Sequence, residues 1–367
     1  MAVIDYPIRV AARAAAEPQP AVRLVRYYFV LLFALCLVTM VVGVQNRMTT
    51  GGLFNVRPPV DWMPPLSEPQ WWTAFTLHQQ DPAFSACGGT ESPSEFRTLY
   101  WWEWSRQIST VALAVTAALG LYCAFLWRPV QFALRRMAGL GLAVAAIWGA
   151  RALVDVIVAH VEAMSSFNVG QYRHAVDVTG ASVIAALVLA AAIAPPDPAS
   201  RARGDGGRAW SQEWWWLGLI VLDIGFGAMF AARDAAAAWT TWPGYQGHVL
   251  PPLDQLLSYA PVWLNFTFNQ YMIQLVHRTL SAGLWIAALW QLVAAVARAL
   301  PMRLAVVRFA LITAQMLTGI ATLAWGVPEI LSLVHQLGSV LLLACSFVVL
   351  LGDSAAAAPR IGSLKTA

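Results

Sequence analysis

Eight long apolar segments constrain this chain more than any other feature of its sequence. A helix needs about 20 apolar residues to cross a bilayer core of roughly 30 Å. The segments cover residues 26–46, 107–127, 134–158, 174–194, 213–233, 266–295, 303–325 and 329–351. Only 11% of all residues are charged, less than half the share typical of soluble proteins. The sequence therefore predicts an all-α membrane protein with eight transmembrane helices in contact with lipid. It excludes a soluble enzyme, a disordered protein and a nucleic-acid binder.

The positive charges indicate how the chain is oriented. Of the 23 lysine and arginine residues, 15 would lie on one side of the membrane if all eight segments span it. Such an excess marks the cytoplasmic side, so both termini are predicted to be cytoplasmic. The two long loops on the other side are rich in tryptophan, which is typical of a membrane interface.

The chain divides into two halves of four segments. The N-terminal half, residues 26–194, contains a long outer loop at 47–106, and the C-terminal half covers 213–351. A cytoplasmic linker at 195–212, rich in Pro, Gly and Arg, separates them, and tails cover 1–25 and 352–367. Aligned as parallel repeats, the halves match Arg106 with His277 and Asp177 with His335. We therefore predict two pseudo-symmetric four-helix bundles.

Two histidines lie inside predicted spans, where ionisable side chains are costly and are candidates for function. His277 and His335 are each roughly 7–10 residues from the outer end of a helix, which corresponds to a depth of about 10–15 Å. Two facing imidazoles at one depth suit six-coordinate haem iron, whereas zinc or copper usually needs further ligands. The alternative is two unrelated histidines, each hydrogen-bonded to a neighbouring helix.

Other polar residues have simpler interpretations. Arg278 either binds a haem propionate or extends toward the membrane interface. Arg151 and Asp155, four residues apart on one predicted helix, are expected to pair with each other. His78 and His248 are interpreted as solvated or capping residues of the outer loops. No disulfide is predicted among the four cysteines.

Several stretches of the sequence resemble the haem A synthase family in its proteobacterial and mitochondrial form. They include residues 46–53, 63–68, 101–104, 276–278 and 317–323, together with His335-Gln336. The resemblance implies an eight-helix enzyme of the bacterial inner membrane. Such an enzyme oxidises the C8 methyl of haem O to the formyl of haem A for terminal oxidase biogenesis. It also implies that His277 and His335 ligate a haem b, and that haem O synthase or oxidase assembly factors are partners.

The first half departs from the family pattern at two positions. Both histidines of that pattern are replaced, one by Arg106 and one by Asp177, while the carboxylate Glu103 is retained. We predict that Arg106 and Asp177 form a buried ion pair, because an unpaired charge inside the membrane would be costly. Alternatively, His174 serves as a single haem ligand one turn from Asp177, and Arg106 binds a haem propionate.

Two functions remain open at this point. The first is a haem A synthase in which Glu103 handles protons and the haem b of the second half passes electrons to or from a redox partner. The second is a non-catalytic haem-b paralogue, acting in electron transfer or assembly. A homo-oligomer is compatible with both. A transporter is disfavoured, because the remaining charges in the spans form no evident pathway.

Overall fold

The computed structural model describes residues 20–49, 60–80, 84, 91–126, 131–164, 170–193, 206–300 and 302–354. Regular secondary structure within these ranges is helical. The long helices are α1 (Pro20–Thr49), α2 (Glu68–Gln79), α3 (Pro93–Leu126), α4 (Gln131–Met164), α5 (Gly170–Ile193), α6 (Gly206–Ala232), α7 (Gln270–Ala297), α8 (Arg303–Ala324) and α9 (Glu329–Ser354). Helices α1, α3 and α5–α9 give seven that are long and apolar enough to cross a membrane.

The third predicted span coincides with α4. This helix is 34 residues long, and residues 139–154 form a shorter apolar stretch within it. The all-helical class and a multi-pass membrane protein are thus confirmed. An eighth crossing stays a prediction.

The predicted outer loop at 47–106 is more helical than the sequence indicated. Helix α2 lies within it, and α3 begins at Pro93 rather than near residue 107. Glu103 and Arg106 therefore lie inside α3 and not at its start. The apolar run fails to mark this helix end because polar and aromatic residues extend the helix beyond it.

The helices pack in two rings of four. Helix α1 packs against α3, α3 against α4, α4 against α5, and α5 against α1; we call these four helices the first ring. Helices α6, α7, α8 and α9 close on one another in the same cyclic order and form the second ring. Helix α5 joins the rings by packing against α6 and α9. Its buried alanines, such as Ala185 and Ala186, allow close approach of these helices.

An aromatic cluster packs α2 against the N-terminal end of α3. Phe75, Phe96 and Tyr100 form its buried centre. His78, expected to be solvated or capping, is instead fully buried beside Phe96, and its Nε2 lies 3.1 Å from a carboxylate oxygen of Glu91. The interpretation was wrong because loop composition does not reveal that α2 folds back onto α3. His248, by contrast, is exposed as expected.

Candidate haem-binding site in the second ring

The second ring brings the side chains of His277 on α7 and His335 on α9 next to each other. Their ring centroids are 6.5 Å apart, and the ring planes are nearly perpendicular at 85°. Helix α7 is anchored by its N-cap residue Asn269, whose side-chain oxygen accepts hydrogen bonds from the backbone N–H groups of Tyr271 and Met272. The Asn269 amide donates to two carbonyls of the preceding loop. The cap thus fixes the position of α7, two turns before His277.

Each imidazole is held through its Nδ1 atom. Nδ1 of His277 lies 2.9 Å from Oδ1 of Asp223 on α6. Nδ1 of His335 lies 3.2 Å from the hydroxyl of Thr318 on α8. A hydrogen bond to one ring nitrogen sets the tautomer and leaves the other nitrogen for a metal. Nε2 is therefore the nitrogen of each ring that could bind iron.

Two glycines make room for these imidazoles. A Cβ atom on Gly227 of α6 would lie 3.0 Å from Cε1 of His277. A Cβ on Gly319 of α8 would lie 2.8 Å from Cε1 of His335. Any residue larger than glycine at these two positions would have to displace the imidazole. Each histidine therefore packs directly on the backbone of an adjacent helix.

The geometry fits one metal centre with two protein ligands. Two imidazole nitrogens that each bind a metal at about 2 Å place their ring centroids about 6 Å apart, close to the distance observed here. Among the described residues, no group of three or more His, Cys, Asp or Glu side chains could hold a metal ion. This ligand set suits an iron whose other four positions are filled by a porphyrin.

Arg278 occupies a different place from the two histidines. Its guanidinium donates to the carbonyl oxygens of Trp239 at 3.1 Å and Gly244 at 3.4 Å, and it lies 4.8 Å from the centre of the Tyr245 ring. Arg278 thus connects α7 to the loop that follows α6. Its binding to a haem propionate stays a prediction.

In the first ring, the predicted Arg106–Asp177 pair is replaced by two other ion pairs. The Arg106 guanidinium bonds to the buried carboxylate of Glu103, one turn earlier on α3. Nε of Arg151 on α4 lies 2.7 Å from Oδ1 of Asp177 on α5. The predicted direct contact between Arg106 and Asp177 is therefore wrong. A local partner three residues away satisfies Arg106 without crossing the bundle.

His174 lies one turn before Asp177 on α5 and is half-buried. Its service as a haem ligand stays a prediction. Arg151 bonds to Asp177 on a neighbouring helix, although spacing alone assigned it to Asp155. The side chain of Asp155 lies outside the described residues.

Sequence reasoning missed the groups that support the two imidazoles. Asp223 offered a signal, because an acid within an apolar span indicates function or a buried partner. Thr318 and Gly319 lie in the stretch 317–323 that carries the family resemblance, but neither they nor Gly227 indicated a contact to a histidine, because small and hydroxyl residues are common in transmembrane helices. Their roles depend on which helix faces each histidine.

These features define an integral membrane protein with a paired-histidine site inside its helices. Residues 26–347 match the profile of the family described as cytochrome oxidase assembly protein, COX15-CtaA. The chain therefore belongs to this family, and the resemblance drawn from the sequence is confirmed.

Relatives in this family are named heme A synthase. The protein of Azorhizobium caulinodans is 31% identical over 334 residues, which cover 89% of this chain and 93% of that protein. The one from Rhodopseudomonas palustris is 30% identical, covering 88% of this chain and 87% of that protein. The one from Agrobacterium fabrum is 32% identical and covers 88% of each.

Proposed function

We propose that this chain is a haem A synthase-like protein of terminal oxidase biogenesis in a bacterial inner membrane. One haem b would bind between His277 and His335 of the second ring. The observation that carries the proposal is the pair of facing imidazoles, each held through Nδ1, in a chain whose relatives are named heme A synthase. When bound, the haem would supply one-electron redox chemistry.

The first ring would hold the reacting haem. Haem O is the proposed substrate. Oxidation of its C8 methyl to the formyl of haem A would replace two hydrogen atoms by one oxygen atom from water, and the electrons released would pass to a redox partner of the chain. Glu103 is the proposed proton acceptor, because it is a nearly buried carboxylate whose orientation is fixed by Arg106. Arg106 is the proposed contact to a haem propionate, and His174 is the proposed ligand of the haem iron.

A second function is favoured by the ion pairs of the first ring. Arg106 and Asp177 stand where the family pattern has histidines, and both carry ionic partners. A non-catalytic haem-b protein, acting in electron transfer or oxidase assembly, would retain this ring as a scaffold. The two functions differ in whether the protein forms haem A.

Haem analysis separates the two functions. Expressed in bacteria that make haem O but lack haem A synthase, the chain is expected to produce haem A in extracted membranes. The pigments are identified by chromatography, and an established haem A synthase serves as the positive control. If the purified protein carries haem b and no haem A forms, the enzyme assignment is wrong and the second function replaces it.

We further propose that α4 also crosses the membrane, in addition to the seven apolar helices. The eight spans would form two pseudo-symmetric bundles. The shared cyclic packing of the two rings supports this arrangement. Of the 15 cations assigned to the cytoplasmic side, Arg308 is in fact buried within the second ring. The other 14 retain the charge asymmetry in the sequence that supports the proposal of two cytoplasmic termini.

Reporter fusions test this topology. A fluorescent protein fused after Lys365 is expected to fluoresce, and alkaline phosphatase at the same position is expected to be inactive, because that enzyme requires the periplasm. Fusions within the outer loop at Gln246 should give the opposite pair of results. An active phosphatase after Lys365 would contradict the proposed orientation.

A further inference from the structure

We propose that Asp223 is a positioning residue that makes His277 the stronger of two unequal haem ligands. The inference rests on the proposed haem site. The Asp223 carboxylate lies behind His277 and the neutral Thr318 hydroxyl lies behind His335, and this difference would help to set the midpoint potential of the bound haem.

The carboxylate of Asp223 on α6 is held by two side chains of α7. Oδ1 lies 2.9 Å from Nδ1 of His277, and the backbone carbonyl oxygen of Asp223 lies 3.2 Å from the same nitrogen. The Ser281 hydroxyl, one turn after His277 on α7, lies 3.2 Å from Oδ1 and 3.0 Å from Oδ2. A carboxylate inside a span is costly unless it is paired. These contacts hold it directly behind the imidazole.

The second ligand has a neutral partner instead. The Thr318 hydroxyl has a single proton, which it donates to the carbonyl oxygen of Gln315 at 2.9 Å. Its oxygen therefore accepts from Nδ1–H of His335 at 3.2 Å. The hydrogen bond of His277 Nδ1–H goes to the backbone carbonyl oxygen of Asp223, and the Asp223 carboxylate adds a negative charge 2.9 Å from the same nitrogen, whereas the Thr318 hydroxyl is neutral. Asp223 thus increases the electron donation of His277 more than Thr318 increases that of His335.

This asymmetry has a consequence for the haem. A strongly donating ligand and a nearby negative charge both stabilise ferric over ferrous iron. Asp223 would therefore lower the midpoint potential of the haem b. Because Nδ1–H is held by Asp223, Nε2 of His277 is also fixed as the atom that meets the iron.

The test is a redox titration of the purified, haem-loaded protein. Asp223→Asn keeps the shape of the side chain but removes its charge, and it should raise the midpoint potential. The low-spin EPR signal should shift toward that of a haem with two neutral imidazoles. Thr318→Val should change the potential less. Asp254→Asn, at an exposed acid of the outer loop, should leave it unchanged.

An unchanged potential and EPR signal in haem-loaded Asp223→Asn would overturn the inference. If that variant does not accumulate, Ser281→Ala carries the test, because it keeps the carboxylate but removes its anchor. A smaller upward shift then supports the inference, and no shift overturns it. Failure of the haem site itself is a separate result, recognised by the absence of a haem b that depends on His277 and His335 in the unmodified chain.

Discussion

Replacing either His277 or His335 with alanine is expected to abolish the low-spin b-type spectrum of the purified protein. Six-coordinate haem iron needs both imidazoles, and among the described residues no group of three or more His, Cys, Asp or Glu side chains offers another metal site. Loss of one ligand would leave a five-coordinate, high-spin iron or no bound haem. The measurement is the reduced-minus-oxidised spectrum, together with the haem content per chain.

Matched controls separate ligand loss from loss of the protein. His248→Ala removes an exposed histidine of the loop between α6 and α7 and should keep the full spectrum. The amount of monodisperse protein after size-exclusion chromatography reports folding independently of pigment. If both His277→Ala and His335→Ala retain the low-spin spectrum, the second ring does not hold the haem through these residues.

The helices and the paired histidines could be predicted because each depends on a simple energetic rule. A run of about 20 apolar residues is stable in lipid only as a helix, and seven helices of the structure fall on predicted spans. An ionisable side chain within such a run is costly, which singled out His277 and His335. The two imidazoles lie opposite each other in the second ring, and their depth in the membrane stays a prediction.

The partners of charged residues could not be predicted in the same way. Arg106 bonds to Glu103 of its own helix and not across the ring to Asp177, which instead bonds to Arg151 of α4. Long side chains reach several neighbours, and the rotation of each helix decides which one they meet. The same uncertainty hid Asp223, because only the packing of α6 against α7 places it behind His277.

Arg308 provides a further case, since the sequence assigns it to the cytoplasmic side together with 14 other cations. In the structure it is fully buried, and its Nη2 lies 2.5 Å from a carboxylate oxygen of Glu213 on α6. It also bonds to Gln291 of α7 and lies 3.5 Å from the hydroxyl of Ser346 on α9. Arg308 itself belongs to α8. One guanidinium therefore links all four helices of the second ring, which carries the proposed haem site.

Removal of Glu213 alone is expected to destabilise the protein strongly. Glu213→Ala would leave the buried Arg308 without its counter-charge, and breaking a buried ion pair typically costs about 3–5 kcal/mol. Thermal unfolding in detergent measures the effect as a lowered Tm. The matched control is Glu68→Ala, which breaks an exposed ion pair between Glu68 of α2 and Arg97 of α3. Exposed pairs contribute about 0–1 kcal/mol, so this control should unfold close to the unmodified protein.

The joint change Glu213→Leu with Arg308→Met tests the reason for that loss. Replacing both partners of a buried pair with apolar residues of similar size is often neutral or stabilising. The double variant should therefore recover most of the Tm lost in Glu213→Ala. If the double variant is as unstable as the single one, the hydrogen bonds of Arg308 to Gln291 and Ser346, rather than the charge pair, hold the second ring together. If Glu213→Ala unfolds no earlier than Glu68→Ala, the buried pair contributes no more than a surface contact.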